Sequence, residues 1–214
     1  MSNDAAISYR RALPGDAEAL ARFSSAQFTR TFGGILYLPR ELAAYLATEL
    51  NAEWYAQQIQ GDSVDGTRAL WVAIEHNPTP ESPVTEPAAP RIVYRTSCGG
   101  TIIGHILVGP CELSVQQSSG QKFGQVHELY VDPEFHRAGV AARLFDLGLE
   151  WLRSPTSRLS RPIYISVWES NFRAQAFYMR KHGFVKVGEY DFRIDGLDDS
   201  GFVDREWILC EASV

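Results

Sequence analysis

Cysteine, basic residues and long apolar runs are all in short supply in this sequence of 214 residues. Its three cysteines, Cys98, Cys111 and Cys210, are an odd number without a C-x-x-C pair, which excludes a disulfide framework and a cysteine-based zinc site. The five histidines, His76, His105, His127, His136 and His182, show no H-x-x-x-H spacing, so no metal is expected. Lysine and arginine total 20 against 26 acidic residues, a formal charge of -6. A surface that tracks phosphates needs a basic excess, so nucleic acid is not expected as a partner, and cationic partners suit the chain better. No apolar run reaches the roughly 18 residues needed to cross a bilayer, and the segment from Met1 to Arg11 lacks the apolar stretch of a secretory signal. The expectation is a soluble, cytoplasmic protein with no membrane association. Neither G-x-G-x-x-G nor G-x-x-x-x-G-K-S/T occurs, which removes the two commonest nucleotide-binding turns.

What is present points to one domain spanning residues 1–214. A chain of this length with 45% hydrophobic residues can bury a sizeable core. Ile7 to Arg11 reads as a strand, followed by a helix ending near Phe28. Leu42, Tyr45, Leu46 and Leu50 recur at helical spacing after Pro39, and Trp54 and Ile59 extend the same pattern as one helix. Strands are expected at Leu70–Glu75, Thr101–Val108 and Gln125–Val131, then a helix over Gly139–Leu152, a strand at Ile163–Trp168, a helix over Ser170–His182 and two closing strands. Residues 77–90 contain five prolines and cannot pack a core, so they read as a surface insertion. The order of elements makes a mixed α/β (α+β) arrangement.

The most informative stretch runs from Leu129 to Leu144, where a strand turns directly into a helix. Gly139 with the small residues Ala138, Ala141 and Ala142 leaves the backbone bare at the helix start, so unpaired N–H groups and the positive helix end can hold a diphosphate. Arg137 and Arg143 add charge. The segment His136-Arg137-Ala138-Gly139-Val140-Ala141 resembles the Q/R-x-x-G-x-G/A motif of the GNAT acetyltransferases, with histidine where glutamine or arginine is commoner. Further on, Asn171-Phe172-Arg173-Ala174-Gln175-Ala176-Phe177-Tyr178-Met179-Arg180-Lys181-His182-Gly183-Phe184 resembles the same family's N-x-x-A-x-x-F-Y-x-x-x-G-F signature.

This resemblance implies a GNAT fold: a central, mostly antiparallel sheet of six to seven strands, flanked by about four helices, whose fourth and fifth strands splay apart. It implies acetyl-coenzyme A as co-substrate, its pantetheine arm lying in the splay. Contacts to it are expected from Leu129, Tyr130, Val131, His136, Arg137, Ala138, Gly139, Val140, Ala141, Ala142 and Arg143, and from Asn171, Ala174, Phe177, Tyr178 and Lys181. Tyr178 is the expected general acid for the departing thiolate. An alkylammonium with a pKa near 10.4 is neutral in only about one molecule in a few thousand at pH 7, so a base is required. His127 matches a histidine resembling a proton acceptor of arylalkylamine acetyltransferases. Glu128 is the alternative, because a bulge in this strand would switch its facing.

The stretch Gln27-Phe28-Thr29-Arg30-Thr31-Phe32-Gly33-Gly34, with Tyr37 to Leu42 and Tyr45-Leu46, is similar to the bacterial spermine/spermidine acetyltransferase branch. That likeness implies a small-molecule, polyamine-like amine as acceptor. The acidic residues Asp191, Asp195, Asp198, Asp199, Asp204 and Glu206 would either draw a polycation or form a solvated rim. Acetylation of a protein or peptide amine, and a non-catalytic coenzyme A-binding module, are the rival readings. A homodimer is left open.

Overall fold

Seven strands form a single sheet in the order β1-β2-β3-β4-β5-β7-β6. They are β1 (Ile7–Arg11), β2 (Ala69–Glu75), β3 (Thr101–Pro110), β4 (Phe123–Val131), β5 (Ser160–Trp168), β6 (Phe184–Phe192) and β7 (Asp204–Glu211). Every pairing is antiparallel except β4 with β5, as expected for the mixed sheet. A parallel pair requires a crossover, which α4 (Val140–Arg153) supplies. This computed structural model describes residues 6–33, 39–64, 66–76, 93–115, 121–192 and 204–212. The proline-rich insertion at 77–90 lies outside the described residues, as do Gly34, Tyr37, Leu38, Asp195, Asp198 and Asp199.

On the other face of the sheet stand α1 (Ala17–Phe32) and α3 (Ala52–Val64), with α2 (Pro39–Thr48) between them in the chain. The single helix expected from Pro39 to Ile59 is thus two. Asn51 explains the break: its Nδ2 donates to the carbonyls of Ala47 and Thr48 at 2.7 and 2.9 Å, while its Oδ1 accepts from Trp54 N–H at 2.9 Å. One side chain therefore ends α2 and caps α3, and hydrophobic spacing alone cannot report such a cap. Helix α1 runs one turn past the expected end, held by Phe28 stacking on Phe32 with ring centres 4.6 Å apart.

The sheet divides the interior into two cores. Val108, Val126, Ile163 and Ile165 meet Val140, Leu144, Phe145 and Leu149 of α4 on one side. Leu70, Val72, Ile102 and Leu107 meet Leu20, Phe23, Tyr55 and Ile59 on the other. Helix α4 lies close on the sheet because Gly148 has no side chain: a Cβ there would come within 2.7 Å of Ile106 Cδ1 and 3.0 Å of Val108 Cγ1. Among the described residues no helix is long and apolar enough to cross a membrane, and no three His, Cys, Asp or Glu are grouped to hold a metal ion.

Candidate active site

Strands β4 and β5 pair only as far as Val126 opposite Ile165. Beyond that point β4 stays with β3, through Leu129 opposite Ile106 and Val131 opposite Gly104, while β5 stays with β7 through Val167 opposite Trp207. The two strands part, and among the described residues one edge of β4 has no neighbouring strand there. On its other edge Val126 faces Val108 and Glu128 faces Leu107, so His127 is the extra residue of a bulge. Alternation resets there. Val126 and Leu129 pack on the α4 face, whereas Glu128 turns toward α3 on the opposite face.

A cavity of about 470 Å³ fills the splay. Its walls hold Leu129, Tyr130 and Val131 from β4, His136, Arg137, Gly139, Val140, Ala141 and Ala142 from the turn into α4, and Asn171, Ala174, Phe177, Tyr178 and Lys181 from the segment after β5. Those are the residues that the two motifs single out, except Ala138 and Arg143. Arg143 sits one helical turn beyond Gly139, and its charge acts on Tyr9 of β1 instead. Gln27, Arg30, Thr31 and Phe32 of α1, with Pro133, Phe135 and Arg173, complete the lining and are not anticipated as cofactor contacts. For Arg173 the signal is in plain view, two residues after Asn171 inside the quoted motif. The α1 wall is a tertiary contact that motif spacing does not encode.

The charge pattern of the cavity is one-sided. Arg30, Arg137, Arg173 and Lys181 line it, and no carboxylate is found among the described lining residues. Gly139 is the N-cap of α4 with φ 81°, and no side chain caps the helix start. A Cβ added at Gly139 would meet no atom within 4 Å, so the approach to the helix start is open at that point. Free amides, a helix dipole and four cations around one cavity suit a polyanion the size of a diphosphate. Arg137 adopts φ 76°, a left-handed conformation that a residue bearing a Cβ holds only under strain. His136 spans the cavity's rim: its Nε2 donates to the Val131 carbonyl at 3.0 Å, and its Nδ1 accepts from Arg173. Burial and the Arg173 guanidinium both hold this imidazole below its usual pKa.

Asn171 lines the cavity, and its Oδ1 accepts from the Ala174 N–H at 3.1 Å, capping α5 (Phe172–Gln175). The helix then widens into a π-helical turn, Ala176–Lys181. Such turns displace side chains from α spacing and often occur at functional sites. Tyr178 lies in this turn, 7% exposed, its ring 5.5 Å from Phe145. Burial foremost, with Glu206 adding, pushes its phenol well above the usual range, so it keeps its proton at neutral pH.

The two candidate bases part company. His127 does not line the cavity. Its Nδ1 is 3.9 Å from Glu112 Oε2, its buried Nε2 has no hydrogen-bond partner among the described residues, and burial lowers its pKa to about 4. Glu128 lies on the other face, its Oε2 accepting from Tyr55 OH at 2.9 Å and from His105 Nε2 at 2.8 Å. Its charge acts on Tyr45 and Tyr130, and so does that of Glu206 on β7. Asp204 is 6% exposed and Glu206 is mostly buried, its pKa raised to about 8 by burial and then by Asp204. These two face inward and do not belong to a solvated rim, whereas Asp191 stands outside, 3.4 Å from Arg205.

Comparison with known proteins agrees with this geometry. A curated N-acetyltransferase of uncharacterised role from Archaeoglobus fulgidus is 34% identical over 58 residues, 27% of this chain and 37% of that protein's length. The PaiA N-acetyltransferase of Thermoplasma acidophilum, solved in complex with coenzyme A, superposes with a TM-score of 0.61 at 14% identity, over 97% of this chain and 99% of that one. NAA60 of Arabidopsis thaliana, solved in complex with a bisubstrate analogue, gives 0.59 at 16% identity, over 96% and 98% of the two chains. At such identities the likeness speaks for the fold. A model of the acetyltransferase (GNAT) family matches residues 48–184, which include the splayed strands, the glycine turn and Tyr178, and the chain belongs to that family.

Proposed function

We propose that this protein is an acetyl-CoA-dependent N-acetyltransferase that acts on a primary amine of a small molecule, with a polyamine-like cation as its acceptor. The observation that carries the reading is one cavity lined by four cations, a bare helix start and a protonated phenol, Tyr178. In this reading the amides of Val140, Ala141 and Ala142, with Arg137, hold the diphosphate, and the free edge of β4 pairs with the pantetheine arm. When bound, the coenzyme supplies the acetyl group as a thioester. Glu128 accepts a proton from the acceptor's ammonium, freeing the nitrogen lone pair to form the C–N bond as the C–S bond breaks. The Leu129 N–H steadies the carbonyl oxygen as it becomes negative. Tyr178 passes its proton to the departing sulfur, and the second proton that the nitrogen sheds on becoming an amide restores the phenol.

Glu128 takes the role of base over His127 because of what each side chain faces. The His127 imidazole turns to Glu112, whereas the Glu128 charge acts on Tyr130, a residue that lines the cavity. Glu128 and Glu206 act on the same two phenols, Tyr45 and Tyr130. Tyr45 lies 6.1 Å from Phe192, and Phe32 of the cavity wall lies 5.7 Å from Trp168. Carboxylates among aromatic faces favour an alkylammonium over a neutral or anionic acceptor.

A thiol-release assay with acetyl-CoA tests the proposal against a panel of diamines, polyamines, arylalkylamines and short peptides. Turnover is expected with the polycations. Faster turnover of peptide N-termini than of every small amine overturns the acceptor class, and no turnover of any amine overturns the enzyme.

A further inference from the structure

We infer that His105 and Tyr55 are positioning residues that fix the Glu128 carboxylate and aim its second oxygen at the acceptor, an inference that rests on Glu128 serving as the base. Both donors converge on one atom. Tyr55 OH lies 2.9 Å and His105 Nε2 2.8 Å from Oε2 of Glu128. They come from different elements, α3 and β3, and both residues are 0% exposed.

A glutamate has three rotatable side-chain bonds, and holding it in one rotamer opposes roughly 1.5–2 kcal/mol of entropy. Two buried donors on Oε2 provide that restraint and leave Oε1 for the acceptor's proton. Because Glu128 follows the bulged His127, its orientation depends on such partners more than on the strand's own alternation.

The histidine itself argues that the arrangement is more than packing. His105 sits in an aromatic nest, its ring 5.8 Å from Phe23, 5.9 Å from Tyr55 and 5.4 Å from Tyr130. Its buried Nδ1 has no hydrogen-bond partner among the described residues. A leucine or phenylalanine would fill such a nest without burying an unsatisfied nitrogen. Among the described residues the one side-chain hydrogen bond of His105 is that to Glu128, and for that bond the Nε2 must carry the proton. Glu128 is itself only 11% exposed in its side chain, so these bonds act where water competes weakly.

The experiment measures steady-state kinetics for Tyr55→Phe, His105→Leu and His105→Gln, each also combined with Glu128→Gln, using acetyl-CoA and spermidine. Tyr55→Phe and His105→Leu should each lower kcat about tenfold, leave KM for acetyl-CoA within about twofold, and move the acid limb of kcat/KM for spermidine to higher pH. His105→Gln, whose amide nitrogen reaches the Nε2 position, should recover most of the loss. In the Glu128→Gln background both changes should be silent. If Glu128→Gln is crippled but the other variants lose no turnover, or lose it equally in both backgrounds with an unmoved acid limb, His105 and Tyr55 only pack the core and the inference is overturned. If Glu128→Gln itself turns over normally, the base assignment fails, and the positioning role falls with it.

Discussion

Arg137 and Gly139 both occupy left-handed backbone, and replacing them should separate stability from binding in opposite directions. At φ 76° Arg137 bears the steric penalty of a Cβ against the following carbonyl, about 1–2 kcal/mol, which glycine escapes. Glycine also loses more chain entropy on folding, about 0.5–1 kcal/mol, so Arg137→Gly should stabilise the fold by roughly 0.5–1 kcal/mol. For a chain of this size that is about 2–3 °C in Tm. The same substitution removes one of four cations around the cavity. Arg137 is exposed, so water and salt screen it, and about 1 kcal/mol, or fivefold in coenzyme A affinity, is the expected loss at low ionic strength. Gly139→Ala reverses the first sign: it introduces left-handed strain of about 1 kcal/mol without any clash, because nothing lies within 4 Å of the new Cβ. That methyl group would stand over the first-turn amides and weaken coenzyme A by tenfold or more. Differential scanning fluorimetry and isothermal titration read the two effects independently. A Gly139→Ala protein that binds coenzyme A as the parent does would refute the diphosphate cradle, and an Arg137→Gly protein with a lower Tm would refute the strain argument.

Other consequences can be measured on the same footing. Tyr178→Phe should reduce kcat about a hundredfold with coenzyme A affinity almost unchanged, read by stopped-flow and titration; unchanged kcat removes the phenol from the reaction. His127 is held at about 4 against an ordinary 6.5, so the unfolded chain binds the proton first as pH falls, and stability declines between pH 6.5 and 4 by up to about 3 kcal/mol. Denaturant titrations of His127→Gln at pH 7 and pH 4.5 should show a smaller difference than the parent, and an equal difference would contradict the buried neutral imidazole. Glu206, raised to about 8, carries a proton at pH 7, and KM for a cationic acceptor should therefore fall as pH rises from 7 to 9. Glu206→Gln should abolish that trend. Gly148→Val should lower Tm by about 4–8 °C, since the added atoms overlap Ile106 and Val108 and overpacking costs about 2 kcal/mol.

Local chemistry was legible in the sequence where one segment makes both the element and the site. The turn from His136 to Ala142 and the helix start at Asn171 bring their own residues to the cavity, because a strand-to-helix turn has few ways to expose its amides. Features that need two distant segments were not legible. The α1 wall, from Gln27 to Phe32, meets the motif only after the sheet has closed. The division of α2 from α3 turns on one side chain, Asn51, in a run whose apolar spacing continues without interruption. Choosing between His127 and Glu128 required knowing which β4 residue is left unpaired, and hydrophobic alternation is blind to a single extra residue until β3 supplies the register. Glu206 looked like one acid among several near the C-terminus, and only its pairing opposite Trp168 on β5 and Tyr190 on β6 turns it inward.

The net charge of -6 argued for cationic partners, yet the cavity is lined by four cations and by no described carboxylate. Both statements hold because β4 separates two charge environments. On the cavity side Arg30, Arg137, Arg173 and Lys181 gather, while Glu128 and Glu206 act on Tyr45 and Tyr130, and Asp204 acts on Tyr45. A polyanion and a polycation entering such a site are each drawn to their own compartment and repelled from the other, so the field itself orders the two substrates before any contact is made. The reacting atoms must then meet where the compartments join, at the β4 residues after the bulge. There the backbone of Leu129 borders the cavity and the side chain of Glu128 turns away from it toward α3. Deleting His127 would restore regular alternation with Val126 still opposite Val108 and Glu128 still opposite Leu107, so the carboxylate keeps its facing toward α3 and its bonds to His105 and Tyr55. Turnover and coenzyme A binding both retained is the outcome this register requires of a His127 deletion, and loss of turnover with binding retained would show that the bulged residue itself serves the reaction.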